Sequence, residues 1–509
     1  MCPGVAFPST SRQAARSIPP GWPCSRCSLR RGRPPGPDLA LPTWRPCSIW
    51  EKILQRLSSK PQDNVYRPRH PRASPLWQCL HDHFYDFVQH VETYETAYGY
   101  FRPVVEDVVN KFIDCGDLSR GFAKARCPTC SEELLVAFSC KGRYLCPSCH
   151  QKKVLLFAEF ILSQVLFPVP HRQYVFTIPK MLRIYFRNDR QLLGNLASLT
   201  RDCTLQFLQT LLGLPNGKVG MIVSIQTFGE FLKNFHPHLH TLTADGLFSD
   251  SGTFTVMPTH TDLKPLEELF RASVIHMLLE RNLLSQERAE SLLSWRNSGF
   301  SVFAGPSLRP DQSRCLKRTA RYIIRNTFSL EKMLYHEEDD TVIYQCDKVH
   351  PQTHRDYEVF SIGEFIAAIT QHIPEKRAQM VRYFGWYSNR SRGRRRLAED
   401  ALQLPSDDLE VIDVSGYSPK PVPTKKWREL IAKVWEVDPL LCPRCGSVMF
   451  IRALTDDPSQ IKLILKALDL YDDLLLHDRP ARSPPRTPDA ELTLDLTESQ
   501  IPPDELYLN

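Results

Sequence analysis

The sequence predicts an α+β protein with an antiparallel sheet at its centre and helices packed around it. Short runs of strand-formers recur at Gln173 to Ile178, Gly220 to Phe228, Phe235 to Leu242 and Thr253 to Val256. Turn signals, Asp245-Gly246 and Asp250-Ser251-Gly252, separate the later ones into hairpins. Between and after these runs, apolar residues return at three- and four-residue steps, which is helical periodicity. Strands joined as hairpins and set among helices make an α+β antiparallel sheet.

At 509 residues the chain is too long for one core, and two to four domains are expected. Its hydrophobic fraction of 42% is ordinary. No apolar run approaches the ~20 residues of a membrane span, so no membrane partner is expected. A net charge of +7 permits a polyanionic partner without demanding one. Sixteen cysteines in a long chain without a signal peptide, many in C-x-x-C pairs, point to reduced thiols and metal sites in a cytosolic protein.

Residues 1–64 are rich in Pro, Arg and Ser, with no acid before Asp38, and read as a disordered extension. A start codon placed too early fits equally well, and Cys24 and Cys27 are incidental there. Residues 65–125 are helical, with Leu76, Leu80, His83, Phe84, Phe87 and Val88 on one face and Val104, Val105, Val108, Val109 and Phe112 on another; Cys115-Gly116-Asp117 closes the second helix. Residues 126–153 form a zinc-binding module. Cys127-Pro-Thr-Cys130 and Cys146-Pro-Ser-Cys149 are two knuckles, with a hairpin expected over 138–144. The expected structural ligands are Cys127, Cys130, Cys146 and Cys149, with Cys140 and His150 as alternates. Lys124, Arg126, Lys141, Arg143, Lys152 and Lys153 around it suit phosphate contacts or plain solvation.

Residues 154–345 hold the sheet and its chemistry. In Phe235-His236-Pro237-His238-Leu239-His240, the alternation of a strand puts His238 and His240 on one face, about 7 Å apart, with Leu239 turned to the core. Two such imidazoles can chelate a divalent cation, although an isolated His-x-His is more often a metal-free edge strand. Further on, Arg314 to Asn326 predicts a helix with Leu316, Ala320, Ile323 and Ile324 in the core. Arg314, Arg318, Tyr322 and Arg325 recur at steps of four, four and three, placing a phenol among cations. Cations there favour the phenolate and can hold a phosphate beside it. A ring packed on Arg stems is the alternative.

Residues 346–400 read as a basic, aromatic DNA-binding region. Trp386 and Tyr387 offer faces for bases, and Arg390, Arg392 and Arg394 offer charge for a backbone. A linker spans 401–426. Residues 427–470 carry a helix over 427–434 and a lone half knuckle, Cys442 and Cys445, which is a metal-free turn or borrows ligands from elsewhere; 471–509 is a disordered tail.

A histidine pair on a strand and a tyrosine on a basic helix equip a protein for metal-assisted transesterification of DNA. The residues that carry a family likeness are Tyr66-Arg67-Pro68-Arg69, the cysteine block with Phe138-Ser139-Cys140-Lys141-Gly142-Arg143, Ser224-Ile225-Gln226-Thr227-Phe228-Gly229, His236-Pro237-His238-Leu239-His240, Ala320-Arg321-Tyr322-Ile323 and Tyr387-Ser388-Asn389-Arg390. Together, from about Tyr66 to Leu470, they resemble the insertion sequence 91 family of bacterial transposases. These are rolling-circle enzymes of the HUH endonuclease superfamily, named for His-hydrophobic-His. The resemblance implies a Rep- or relaxase-like HUH sheet in the 154–345 domain, with Mg²⁺ or Mn²⁺ on His238 and His240. It implies Tyr322 as the nucleophile, leaving a 5′-phosphotyrosine and a free 3′-hydroxyl. The third metal ligand would be Gln226 or His236. Zn²⁺ would sit in a DNA-recognition module, and Arg318, Arg321 and Arg325 would join the DNA contacts. Single-stranded DNA at element ends and target DNA would be the partners, with no ATP, in the bacterial cytoplasm at the nucleoid. Members with two catalytic tyrosines space them four apart, and here Arg318 stands at that position. The chain therefore resembles the single-tyrosine branch, in which a second protomer of a homodimer, or the free hydroxyl, makes the second transfer. A plasmid replication initiator or relaxase would use the same chemistry on other DNA, and a non-enzymatic zinc-ribbon regulator would need neither the histidines nor Tyr322.

Overall fold

A computed structural model describes residues 71–142, 144–295, 298–349, 353–397, 411–413 and 440–471. The expected extension, the linker apart from 411–413, the helix at 427–434, Arg143 and all but the first residue of the tail lie outside the described residues.

The described residues begin with three α-helices, α1 (Pro75–Gln89), α2 (Glu92–Tyr98) and α3 (Pro103–Ile113). Ser74 caps α1 through the Trp77 amide, and Pro75 supplies a preset φ in the first turn. A hairpin follows, β1 (Phe122–Arg126) and β2 (Glu133–Ala137), then α4 (Pro147–Phe160). Next come β3 (His171–Thr177), α5 (Arg183–Asn188), α6 (Gln191–Leu212), β4 (Gly220–Gln226), β5 (His238–Ala244), β6 (Gly246–Phe248) and β7 (Thr253–Val256). Then α7 (Lys264–Glu280), α8 (Gln286–Ser294), β8 (Ser301–Ala304) and α9 (Ser313–Ile323) precede β9 (Met333–His336), β10 (Thr341–Gln345), β11 (Tyr357–Ser361) and α10 (Ile362–Thr370). The last elements are β12 (Val381–Gly385), α11 (Asn389–Leu397), β13 (Val411–Asp413), β14 (Phe450–Thr455) and α12 (Pro458–Ala467).

The central sheet has the order β12-β4-β5-β3-β8 and every pairing in it is antiparallel. The histidine strand is the middle one and not an edge. Its two faces are covered by different helices. Tyr174, Phe176, Met221, Val223, Ile225 and Leu239 pack against α6, α7 and α8. Ile222, Leu242 and Ala244 pack against α4 and α9. Because side chains alternate, Ser224, Gln226, His238 and His240 share this second face, under the helix that bears Tyr322.

The linear domain division expected from sequence is not how the chain packs. The N-terminal helices form one core with β10, β11 and α10, through Leu76, Phe84, Phe112, Val342, Phe360 and Phe365. The expected boundary at 345/346 is crossed again by β12, which pairs with β4 along Val381↔Ser224 to Gly385↔Gly220. The hairpin expected over 138–144 is instead β1–β2, and β14 of the C-terminal segment pairs with β1.

Gly385 turns the chain out of β12 at φ +57°, where any Cβ would collide with the Val219 carbonyl. That turn sends Trp386 and Tyr387 under the sheet, against the expectation that they bind DNA. Trp386 stacks on Phe248 with centroids 4.8 Å apart, and Tyr387 hydroxyl meets His171 Nε2 at 2.7 Å. Arg392 is also buried, its guanidinium over Phe160 and Tyr383. The reason is the apolar ring surface: burying a Trp and a Tyr in a core gains more than solvating them beside arginines.

Burial pushes the His171 imidazole down to about 4 and that of His372 down to about 3. In the unfolded chain both would titrate near ~6.5. The unfolded state therefore binds more protons below that value, so the stability these groups carry is complete above about pH 6.5 and lost as pH falls toward 3–4. Denaturant midpoints measured from pH 7.5 to 4.5 should fall, and should fall less steeply in His372→Gln, which cannot take up the proton.

Candidate active site and metal centres

The register of the central sheet sets Gln226 opposite His238 and Ser224 opposite His240. His238 Nδ1–H donates to the His236 carbonyl at 2.8 Å, which leaves its Nε2 lone pair for a ligand. His238 Nε2 and His240 Nε2 lie 3.1 Å apart. Two cis ligands of an octahedral ion at ~2.1 Å would be about 3.0 Å apart. Gln173, on the same face of β3, contacts His240 Nδ1 through its amide at 3.0 Å. A half-turn of that amide would accept Nδ1–H instead and so fix the tautomer a metal ligand needs.

Burial, the largest cause, holds all three imidazoles below their ordinary range. His236 sits at about 3, also because of His238 and Arg183; His238 sits at about 4, also because of Arg325 and Arg183; His240 lies well below. They are uncharged at neutral pH, as ligands must be. His236 precedes the strand, which begins at His238. Its backbone N–H donates to Thr227 O at 2.6 Å and its ring tilts against His238 at 4.9 Å.

Helix α9 lies over this pair. Leu316, Ala320 and Ile323 face inward, as does Ile324 just after it, while Arg314, Arg318 and Arg321 are exposed. Tyr322 is half-buried and its ring meets His240 edge-on, centroids 5.3 Å apart at 87°. The Arg325 guanidinium lies over the Tyr322 ring at 5.1 Å and the Phe228 ring at 5.6 Å. Gln226 ties sheet to helix: its Nε2 donates to Ile323 O at 2.8 Å, and its Oε1 is buried without a hydrogen-bond partner among the described residues. Beside Tyr322 opens a cleft of about 460 Å³, lined by Gln151, Phe228, Arg325, Asn326, Thr327 and Lys332 among others. The histidine pair and the phenol thus meet on one face of the sheet, and Arg325, over the phenol, also lines the cleft. Arg390 and Arg394 are exposed on α11.

The cysteines do not form the expected single site of Cys127, Cys130, Cys146 and Cys149. Cys146 and Cys149, at the start of α4, gather with Cys115 and Cys140, with Sγ separations of 4.0 Å (Cys115 to Cys146), 3.9 Å (Cys115 to Cys149) and 3.5 Å (Cys140 to Cys149). Cys127 and Cys130 lie in the β1–β2 turn and gather with Cys442 and Cys445. The physical reason is that a hairpin carries the first knuckle away from α4, and each knuckle finds partners the spacing does not reveal. Cys115 was legible only as a helix-closing residue, and its signal is a lone cysteine just ahead of a two-knuckle block. His150 is no ligand here. Its Nδ1 accepts the Tyr144 N–H at 3.3 Å and its Nε2 meets Ile324 O at 2.8 Å, linking α4 to the end of the tyrosine helix. Gln173 went unnoticed because a polar residue within a strand has an ordinary solvated reading.

Two family models match the chain without overlapping. One, described as "Transposase zinc-binding domain" of the insertion sequence 91 type, covers residues 86–178, and one described as "Putative transposase" covers 220–395. The chain belongs to the insertion sequence 91 family of transposases. The transposase for insertion sequence element IS801 of Pseudomonas savastanoi pv. phaseolicola is 24% identical over 373 residues, which is 70% of this chain and 85% of that protein. The "Putative transposase y4qJ" of Sinorhizobium fredii (strain NBRC 101917 / NGR234) is 23% identical over 381 residues, 70% of this chain and 91% of that one. No solved structure matches. A transposase binds DNA and cleaves and joins its strands. All four cysteines of the Cys115 cluster lie inside the zinc-binding match, and four thiolates suit a closed, structural Zn²⁺ site. No helix of the described residues is long and apolar enough to cross a membrane.

Proposed function

We propose that this transposase nicks and rejoins single-stranded DNA at element ends by tyrosine transesterification on a Rep- or relaxase-like HUH sheet. The observation that carries it is the edge-on contact of Tyr322 with His240, beside two Nε2 atoms 3.1 Å apart. A divalent ion, Mg²⁺ or Mn²⁺, held by His238, His240 and a third ligand would polarise the scissile phosphate and offset its charge. The chain's own groups do the rest. Tyr322 Oη attacks phosphorus in line; the bond from phosphorus to O3′ breaks as the tyrosyl ester forms on the 5′ side. The phenol loses its proton and the departing O3′ gains one. A 3′-hydroxyl later attacks the ester, frees Tyr322 and restores a phosphodiester, so the bond energy is retained and no ATP is consumed. Arg325 over the phenol, with Arg318 and Arg321 on the exposed side of α9, gives the phosphate charge partners. Arg390 and Arg394 extend that basic surface along target or element DNA. With Arg318 four residues before Tyr322, one chain offers one nucleophile at this position, and a second protomer or the freed hydroxyl completes the transfer.

Mass spectrometry of a peptide containing Tyr322, after incubation with single-stranded element ends and Mn²⁺, should find nucleotide on that residue. An unmodified Tyr322 in protein that has cut its substrate would end this reading.

Gln226 is the better third ligand, because it faces His238 across the ladder and its Oε1 has no hydrogen-bond partner among the described residues. Gln226→Ala should raise the Mn²⁺ concentration for half-maximal nicking by on the order of 10–100-fold. His236→Ala, off the strand, should change it by less than about threefold, within the scatter of ordinary substitutions. A manganese titration of nicking and of calorimetric binding checks both.

A further inference from the structure

We propose a second zinc ion, held by Cys127, Cys130, Cys442 and Cys445, that clasps the C-terminal segment onto the N-terminal module. It is independent of the tyrosine chemistry above. Half of its ligands lie far outside the matched zinc-binding domain.

The geometry is that of two facing knuckles. Cys127 Sγ lies 3.4 Å from Cys445 Sγ, and Cys130 Sγ lies 3.4 Å from Cys442 Sγ. All four sulfurs lie within 4.8 Å of one another. A tetrahedron of thiolates at the ~2.3 Å zinc–sulfur distance has edges of about 3.8 Å. The two turns repeat each other bond for bond. Cys127 N donates to Glu132 O at 2.8 Å and Cys442 N to Ser447 O at 2.8 Å. Ser131 N donates to Cys127 O at 3.1 Å and Gly446 N to Cys442 O at 2.9 Å. The residue after each second cysteine is left-handed, Ser131 at φ 59° and Gly446 at φ 71°. Two segments over 300 residues apart thus adopt one loop conformation with their sulfurs turned toward one point.

The surroundings bind the same two segments. β14 runs antiparallel to β1 from Phe450↔Arg126 to Thr455↔Phe122. Thr129 Oγ1 donates to Ser447 Oγ at 3.0 Å. Ala125, Leu440 and Met449 pack around Cys127 and Cys442. That core is small, and small cores need a staple. A metal here would make 440–471 part of the N-terminal module, despite its place in the sequence.

The test uses the full-length protein purified with zinc and measured by inductively coupled plasma mass spectrometry. Two zinc ions per chain are expected. Cys445→Ser, chosen because Cys445 is exposed and its loss spares the core, should hold one, and Cys445→His, which keeps a ligand, should hold two. Cys149→Ser should hold one, and Cys149→Ser with Cys445→Ser none. A single zinc in the wild type, or two in Cys445→Ser, would overturn the proposal. A second measurement needs no variant. Exposed Cys445 should resist maleimide until a strong chelator is added, whereas immediate alkylation would also overturn it.

Discussion

Tyr322→Phe is expected to abolish the covalent protein–DNA adduct, a loss on the order of 10³-fold or more in single-turnover cleavage. The substitution removes one oxygen and keeps the ring. The edge-on contact with His240 and the guanidinium of Arg325 over the ring both survive, since neither uses the hydroxyl. Folding, zinc content and affinity for single-stranded DNA should therefore stay near those of the parent. The measurement is denaturing electrophoresis of labelled single-stranded element ends after incubation with Mn²⁺. A persisting adduct would move the nucleophile to another side chain. His240→Ala should also lose cleavage, but through the ion: excess Mn²⁺ should recover part of its activity and none of that of Tyr322→Phe.

Trp386→Ala is expected to cost about 3–5 kcal/mol of stability, the range for removing a large buried aromatic. The indole lies flat on Phe248 at 3° and 4.8 Å, with the Arg395 guanidinium 4.2 Å above it. Arg395 also donates to the Trp386 carbonyl at 2.7 Å. Deleting the ring would open a cavity beneath β12 and unseat the turn that leads to Tyr387. Urea midpoints should drop sharply. Arg390→Ala and Arg394→Ala, on the exposed side of the following helix, should leave those midpoints within about 0.5 kcal/mol and weaken DNA binding in a salt-dependent way. A Trp386→Ala protein of parental stability with reduced DNA affinity would return this indole to the DNA surface.

These two residues also mark how far sequence reasoning reached. The histidine strand, its apolar neighbour Leu239 in the core and the inward stripe Leu316, Ala320, Ile323 and Ile324 follow from periods of two and 3.6, which are properties of the local backbone. Trp386 and Tyr387 do not, because an aromatic beside arginines has the same local pattern whether it meets a base or Phe248. The strand at 381–385 was missed for a related reason: its residues are mixed in character and half-buried except for buried Tyr383, and only pairing with β4 makes them a strand.

The sequence by itself determined the family, through motifs each contiguous in the chain, and the side of the strand on which His238 and His240 lie and the helix face that presents Tyr322, since both of these rest on residues near one another. Tertiary structure alone decided which cysteines meet, that Gln173 contacts His240 and Gln226 ties the sheet to the tyrosine helix, and that the C-terminal segment closes on the N-terminal hairpin. Such contacts join residues tens to hundreds of positions apart, and spacing along a chain carries no information about a partner that the fold brings in from elsewhere.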